Sequence, residues 1–197
     1  MALVKELAAA HAERGIDYIA APMFRRPDVA TAGKLNILTA GPPGAMARVR
    51  PLLEAMSSRI WPLGVAPECA NVAKLAGNFM IFAAVEAIAE ATALTRAHGV
   101  STTDFIDLMT STLFSAPVYQ SYGKQIAEQR FEGGGILMSY KDVGLALAAG
   151  GDANLPLPLA SLIRDSLLEA IASGDAALNV SALAKAAARR AHLPEGK

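Results

Sequence analysis

Lys74 and Asn78 lie four residues apart in an apolar stretch, Asn71-Val72-Ala73-Lys74-Leu75-Ala76-Gly77-Asn78-Phe79-Met80-Ile81-Phe82. On a helix that spacing puts both side chains on one face, about a turn apart. An ammonium in such surroundings needs a partner or must change its protonation, because burying an uncompensated charge is costly. That makes Lys74 the first candidate for chemistry in the chain. Taken alone, the spacing also describes a lysine snorkelling from a helix start beside a polar spacer.

Other candidates are weaker. Arg25 and Arg26 follow Phe24 in what reads as a loop, and either could hold an anionic group by a bidentate contact or stand in a solvated basic loop. Lys141-Asp142 reads by itself as a solvated helix pair. Glu86 and Glu90, a helical turn apart, read as a solvated or interdomain face rather than a carboxylate dyad. His11, His98 and His192 are isolated from one another and from any carboxylate cluster, so no metal site is expected. Cys69, the single cysteine, can form no intrachain disulfide, which fits a reducing compartment. It reads as a small apolar residue, buried or half-buried. No Gly-x-Ser-x-Gly supports a serine hydrolase.

Composition narrows the class. Hydrophobic residues make up 53% of the 197 and aromatics only 6%, a balance that favours packed helices over a β-sandwich. Acidic and basic residues number 18 each, so neither a nucleic-acid nor a membrane partner is expected. The first residues lack the apolar core of a signal peptide. Lys74, Glu86, Glu90 and Arg96 interrupt the best candidate for a charge-free membrane span. A soluble, cytoplasmic protein is the expectation.

The elements that must position these residues follow from periodicity. Residues 2–14 read as a helix stopped by Gly15, 16–21 as a buried strand ending at Pro22, and 34–40 as a strand closed by Gly41-Pro42-Pro43. A helix over 44–56 must accommodate Pro51, and 59–64 read as a third strand. From about residue 66 no strand is convincing. One long helix covers 70–98, and Gly99 stops it. Ser101 offers an N-cap for a helix through Leu113. Further helices follow Pro117, begin near Met138 and break at Gly150-Gly151, follow Pro158 to Ala172, and cover 179–191.

The order of these features carries more than any one of them. Tyr18-Ile19-Ala20-Ala21-Pro22, Ala32-Gly33-Lys34-Leu35 with a strand and Gly41, Lys74-Leu75-x-x-Asn78, and Lys141-Asp142-Val143-x-Leu145-Ala146 together resemble the β-hydroxyacid dehydrogenase family. That family includes 3-hydroxyisobutyrate dehydrogenases and 6-phosphogluconate dehydrogenase-like oxidoreductases. The resemblance covers nearly the whole chain. It implies an α/β plus all-α fold: residues 1–65 as the C-terminal part of a Rossmann-like sheet domain, and 66–197 as an all-helical bundle domain with one long central helix. It also implies NAD or NADP as cofactor, a small hydroxy acid or its carbonyl form as substrate, and a homodimer formed through the helical domain. Lys74 would be the acid/base, Asn78 would orient the substrate with Phe24, Arg25 and Arg26 around it, and Lys141 would contact the cofactor.

Three departures from the family pattern stand out. Phe24-Arg25-Arg26 replaces a Ser-Gly-Gly that holds the substrate carboxylate in many relatives. Glu68 and Ala70 replace two glycines before the lysine. The Gly-x-Gly-x-x-Gly turn that cradles a pyrophosphate is absent, with the rest of the first βαβ half. The chain therefore reads as N-terminally truncated, and weak or no NAD(P) binding is expected of it alone. A noncatalytic helical oligomerisation or ligand-binding module derived from the same fold is the alternative.

Overall fold

The computed structural model describes residues 1–24 and 31–194. The chain divides into two compact units, Met1–Gly77 and Asn78–Lys197. The first is a small α/β unit. Helix α1 (Ala2–Ala12) buries none of its residues, and Gly15 stops it at φ 68°. Three strands follow: β1 (Met23–Phe24), β2 (Leu35–Thr39) and β3 (Ser57–Pro62), in sheet order β1-β2-β3. β2 and β3 are parallel and joined by helix α2 (Pro43–Met56), which makes a βαβ crossover. β1 runs antiparallel to β2, with Met23 opposite Ile37 and Phe24 opposite Asn36.

Two expectations change here. Residues 16–21 do not form the expected strand: only Ala20 bridges, to Ala40, in the same register as β1. Pro22 lies between the bridge and β1, and having no N–H it can only accept, taking the Leu38 N–H at 2.8 Å. The paired strand is instead Met23–Phe24, which the sequence presented as loop. Along α2, Leu53 is buried and Met46 and Val49 pack beside it, but Leu52 and Met56 are exposed. Pro51 is accommodated in the helix interior.

Helix α3 (Glu68–Ala97) is the longest element and passes from the first unit into the second. It is long and apolar enough, by length and composition, to cross a membrane. In the helical unit its Phe82, Val85, Ala89 and Ala93 are buried core. Around it stand α4 (Thr102–Thr112), capped by the Ser101 hydroxyl, α5 (Pro117–Ala127), α6 (Ile136–Asp152), α7 (Pro158–Ala172) and α8 (Leu183–Arg190), the last preceded by a 3₁₀ turn, Val180–Ala182. Ile136, Val143, Ile163, Leu167 and Leu183 complete the core.

α6 does not break at Gly150-Gly151 as expected but runs through both to Asp152. Gly150 is there for packing: a Cβ would stand 2.8 Å from the Leu155 carbonyl oxygen and 2.9 Å from Leu157 Cδ1.

Candidate active site

In the α/β unit, β1 carries Phe24 against the N-terminal turns of α3. The sheet and helix meet over a small cluster of Ala20, Leu38, Ala40 and Ala70, with Phe24, Tyr18 and Ala73 packed on it. Ala70, which stands where a glycine was expected, is fully buried in that cluster. Lys74, one turn further along, places its Nζ 3.9 Å from the centroid of the Phe24 ring, a cation–π contact. Gly77 leaves the space that the ring fills: a Cβ there would stand 2.4 Å from Phe24 Cζ. Sequence reasoning missed Gly77, although a glycine three residues after the candidate lysine was a visible signal. Phe24 is thus brought to Lys74 as a platform for its ammonium. Arg25 and Arg26 lie outside the described residues.

In the helical unit, Asn78 Nδ2 donates to Asp142 Oδ2 at 2.7 Å. The other carboxylate oxygen, Oδ1, faces Lys141 Nζ at 2.8 Å. Asp142 is 13% exposed at its side chain and Lys141 56%, so the carboxylate is held under the surface while the ammonium stands in solvent. Asp142 is therefore the hub that fixes the Asn78 amide and steadies Lys141, a role the sequence signalled only by adjacency. With its NH₂ on Asp142, Asn78 turns an acceptor, Oδ1, toward whatever else it contacts.

The helical unit holds a second polar group. Glu86, expected with Glu90 on a solvated or interdomain face, is 3% exposed, while Glu90 is exposed. Helix α3 turns Glu86 inward, where Oε1 accepts from Ser166 Oγ at 2.7 Å and faces Arg190 Nη1 at 3.4 Å. Burial lifts the Glu86 carboxyl above the usual carboxylate range, more than the Ser166 hydrogen bond and the Arg190 charge lower it. Arg190 is bound chiefly by Glu169, 2.7 Å away, which raises its pKa further. Cys69, expected to be buried or half-buried, is exposed on the first turn of α3. Among the described residues no group of histidines, cysteines and carboxylates could hold a metal ion.

The Gly-x-Gly-x-x-Gly turn that cradles a dinucleotide pyrophosphate is not found in the 197 residues. Such a group is cradled by free backbone N–H groups at a strand-to-helix turn. Between β2 and α2 that turn is Gly41-Pro42-Pro43, where the prolines carry no N–H and the Gly41 N–H is bound to the Gly64 carbonyl at 3.1 Å.

A βαβ sheet unit followed by a helical one, with a lysine at the end of the first and an asparagine at the start of the second one turn apart on the same long helix, defines a class of two-part α/β and all-α proteins. The comparisons place the chain within that class. The family model described as the NAD-binding part of NADP-dependent 3-hydroxyisobutyrate dehydrogenase matches residues 69–187. The NAD-binding domain of 6-phosphogluconate dehydrogenase matches residues 1–66. The chain belongs to the β-hydroxyacid dehydrogenase family of NAD(P)-dependent oxidoreductases.

Among curated relatives, it is 40% identical over 183 residues to the uncharacterised oxidoreductase YfjR of Bacillus subtilis (strain 168), a match spanning 92% of this chain and 64% of that protein. It is 28% identical over 159 residues to the 2-(hydroxymethyl)glutarate dehydrogenase of Eubacterium barkeri, spanning 80% and 52%. The crystal structure of a 3-hydroxyisobutyrate dehydrogenase from Salmonella typhimurium superposes with a TM-score of 0.84 at 22% identity, covering 93% of this chain and 65% of that one. A Mycobacterium tuberculosis 3-hydroxyisobutyrate dehydrogenase with L-serine gives 0.82 at 26% identity with the same coverage. The chain spans less than two thirds of the length of these relatives.

Proposed function

We propose that this chain supplies the proton-transfer side of an NAD(P)-dependent dehydrogenase acting on a small hydroxy acid or its carbonyl form. The observation that carries the proposal is Lys74 on α3, in a chain whose family acts by oxidation and reduction. The names of the relatives support the substrate class: 2-(hydroxymethyl)glutarate, L-threonate and 2-hydroxy-3-oxopropionate are all small hydroxy or oxo acids. In this proposal Lys74 gives a proton to the carbonyl oxygen as it becomes an alkoxide, or takes the hydroxyl proton in the opposite direction. Asn78, its NH₂ held by Asp142, offers Oδ1 to a substrate hydroxyl. Lys141 is the residue we assign to the cofactor, for which it can supply a positive charge.

The test is NAD(P)-linked turnover of a panel of small hydroxy acids by the product of the whole reading frame at this locus. Lys74→Ala is expected to lower kcat by about 10²–10⁴-fold with an unchanged circular dichroism spectrum. Full retained activity would refute the role.

A second reading, a noncatalytic helical module, is favoured by the face that α3 leaves uncovered. Val72, Met80 and Leu94 are 43%, 69% and 63% exposed along it. We propose that this face pairs with a second copy of the chain, which is compatible with either reading.

A further inference from the structure

Phe24 stands where a small polar residue was expected, and two independent contacts hold it there. From the sheet side, the β1 ladder fixes its backbone opposite Asn36, and its side chain packs with Tyr18 and Ala73 on the buried alanines. From the helix side, its ring occupies the notch at Gly77, where a Cβ would meet Cζ at 2.4 Å and Cε1 at 2.9 Å. Contacts that short are not reached by a real Cβ, so any other residue at 77 displaces the ring. The third contact is the one with chemical meaning: the Lys74 ammonium lies over the ring, 3.9 Å from its centroid. Lys74 and Gly77, three apart on α3, are neighbours on one helix face, so notch and ammonium address the same ring.

We propose that Phe24 is a positioning residue for Lys74, and that Gly77 is the notch that admits it. The proposal rests on the assignment of Lys74 as the proton-transfer group. A lysine side chain has four rotatable bonds and, left in solvent, spreads its ammonium over many places. The negative face of an aromatic ring attracts the ammonium to one place. The ring thereby does for the lysine what a hydrogen-bonded partner does for other catalytic groups. Position 24 has then given up any direct hydroxyl contact with a substrate carboxylate.

The test is lysine-labelled NMR on the 197-residue chain, with the Lys74 signal assigned by its loss in Lys74→Arg. Methylene protons next to an ammonium seated on a ring face are displaced upfield by the ring current. We expect the Lys74 ε-methylene to lie upfield of the other lysines, to return to the ordinary position in Phe24→Leu and Gly77→Ala, and to stay upfield in Phe24→Tyr. An ordinary position in the wild type overturns the proposal, and this result needs no variant to fold. An upfield signal unchanged in folded Phe24→Leu also overturns it.

In turnover by the whole reading-frame product, Phe24→Leu is expected to lower kcat about ten- to a hundredfold with KM changed far less, because the proton donor is misplaced and binding is not. Equal losses in kcat and KM would point to substrate binding instead and overturn it. If Lys74→Ala keeps full activity while the upfield signal is present, the catalytic assignment has failed and the seat stands. If Lys74→Ala is inactive and the signal is ordinary, the seat has failed and the assignment stands.

Discussion

At the scale of single residues, Glu86 makes the sharpest statement about stability. One carboxylate oxygen is bound by Ser166 and faces Arg190, and the other, Oε2, is buried with no hydrogen-bond partner among the described residues. Arg190 also faces Glu90 and Glu169, so three carboxylates share one guanidinium. Burial and the Glu90 charge raise the Glu86 pKa against its two stabilising partners. With the folded value above the unfolded one, the stability linked to this group is fully present below the unfolded pKa and is lost as pH rises through the folded one. Urea melts should therefore show that acidification from neutrality adds stability to the wild type through Glu86. Glu86→Gln should flatten that part of the curve, and equal slopes in the two proteins would contradict the assignment. Asp142 makes a different point: Asp142→Ala frees the Asn78 amide and the Lys141 ammonium together, where either single change removes one contact.

At the scale of elements, two glycines in α6 behave oppositely. Beyond its own helix backbone, nothing lies within 4 Å of where a Cβ on Gly144 would stand, whereas a Cβ on Gly150 would meet the Leu155 carbonyl at 2.8 Å. In an open helix interior alanine is better than glycine by about 0.5–1 kcal/mol, so Gly144→Ala should raise the melting temperature. Gly150→Ala gains the same propensity but must move backbone, and a net loss of about 1–3 kcal/mol is expected. Thermal melts of the two variants check both signs. The same logic explains β1. Pro22 interrupts the ladder beside Ala20, so the apolar run before it pairs at a single bridge and the strand proper begins after the proline.

At the scale of the whole molecule, two predictions concern what the chain binds. The described turn between β2 and α2 carries two prolines and a Gly41 N–H already bound to Gly64, and the 197 residues contain no Gly-x-Gly-x-x-Gly. Titration calorimetry of this polypeptide with NADPH should show no saturable micromolar binding, and a micromolar isotherm would sink that expectation. If the uncovered face of α3 pairs with a second copy, a Met80→Glu, Leu94→Glu double variant should sediment as a monomer at concentrations where the wild type is a dimer. A monomeric wild type would remove the proposal.

Much of this was legible in the residues. The long apolar stretch over 70–98 with Gly99 after it wrote α3, Ser101 wrote the start of α4, and the Gly41-Pro42-Pro43 run closed β2, because local propensity and burial pattern agree at those places. The order of four segments, at residues 18–22, 32–35, 74–78 and 141–146, was enough to point to the family, since spacing along a chain is itself a sequence property. What the chain alone could not state is which residues far apart in number meet. Gly77 admits the ring of Phe24, Asp142 takes the amide of Asn78, and Glu86 turns inward to Ser166 and Arg190. Each depends on how one element lies against another, and that is decided by packing of the two surfaces together rather than by the propensities of either.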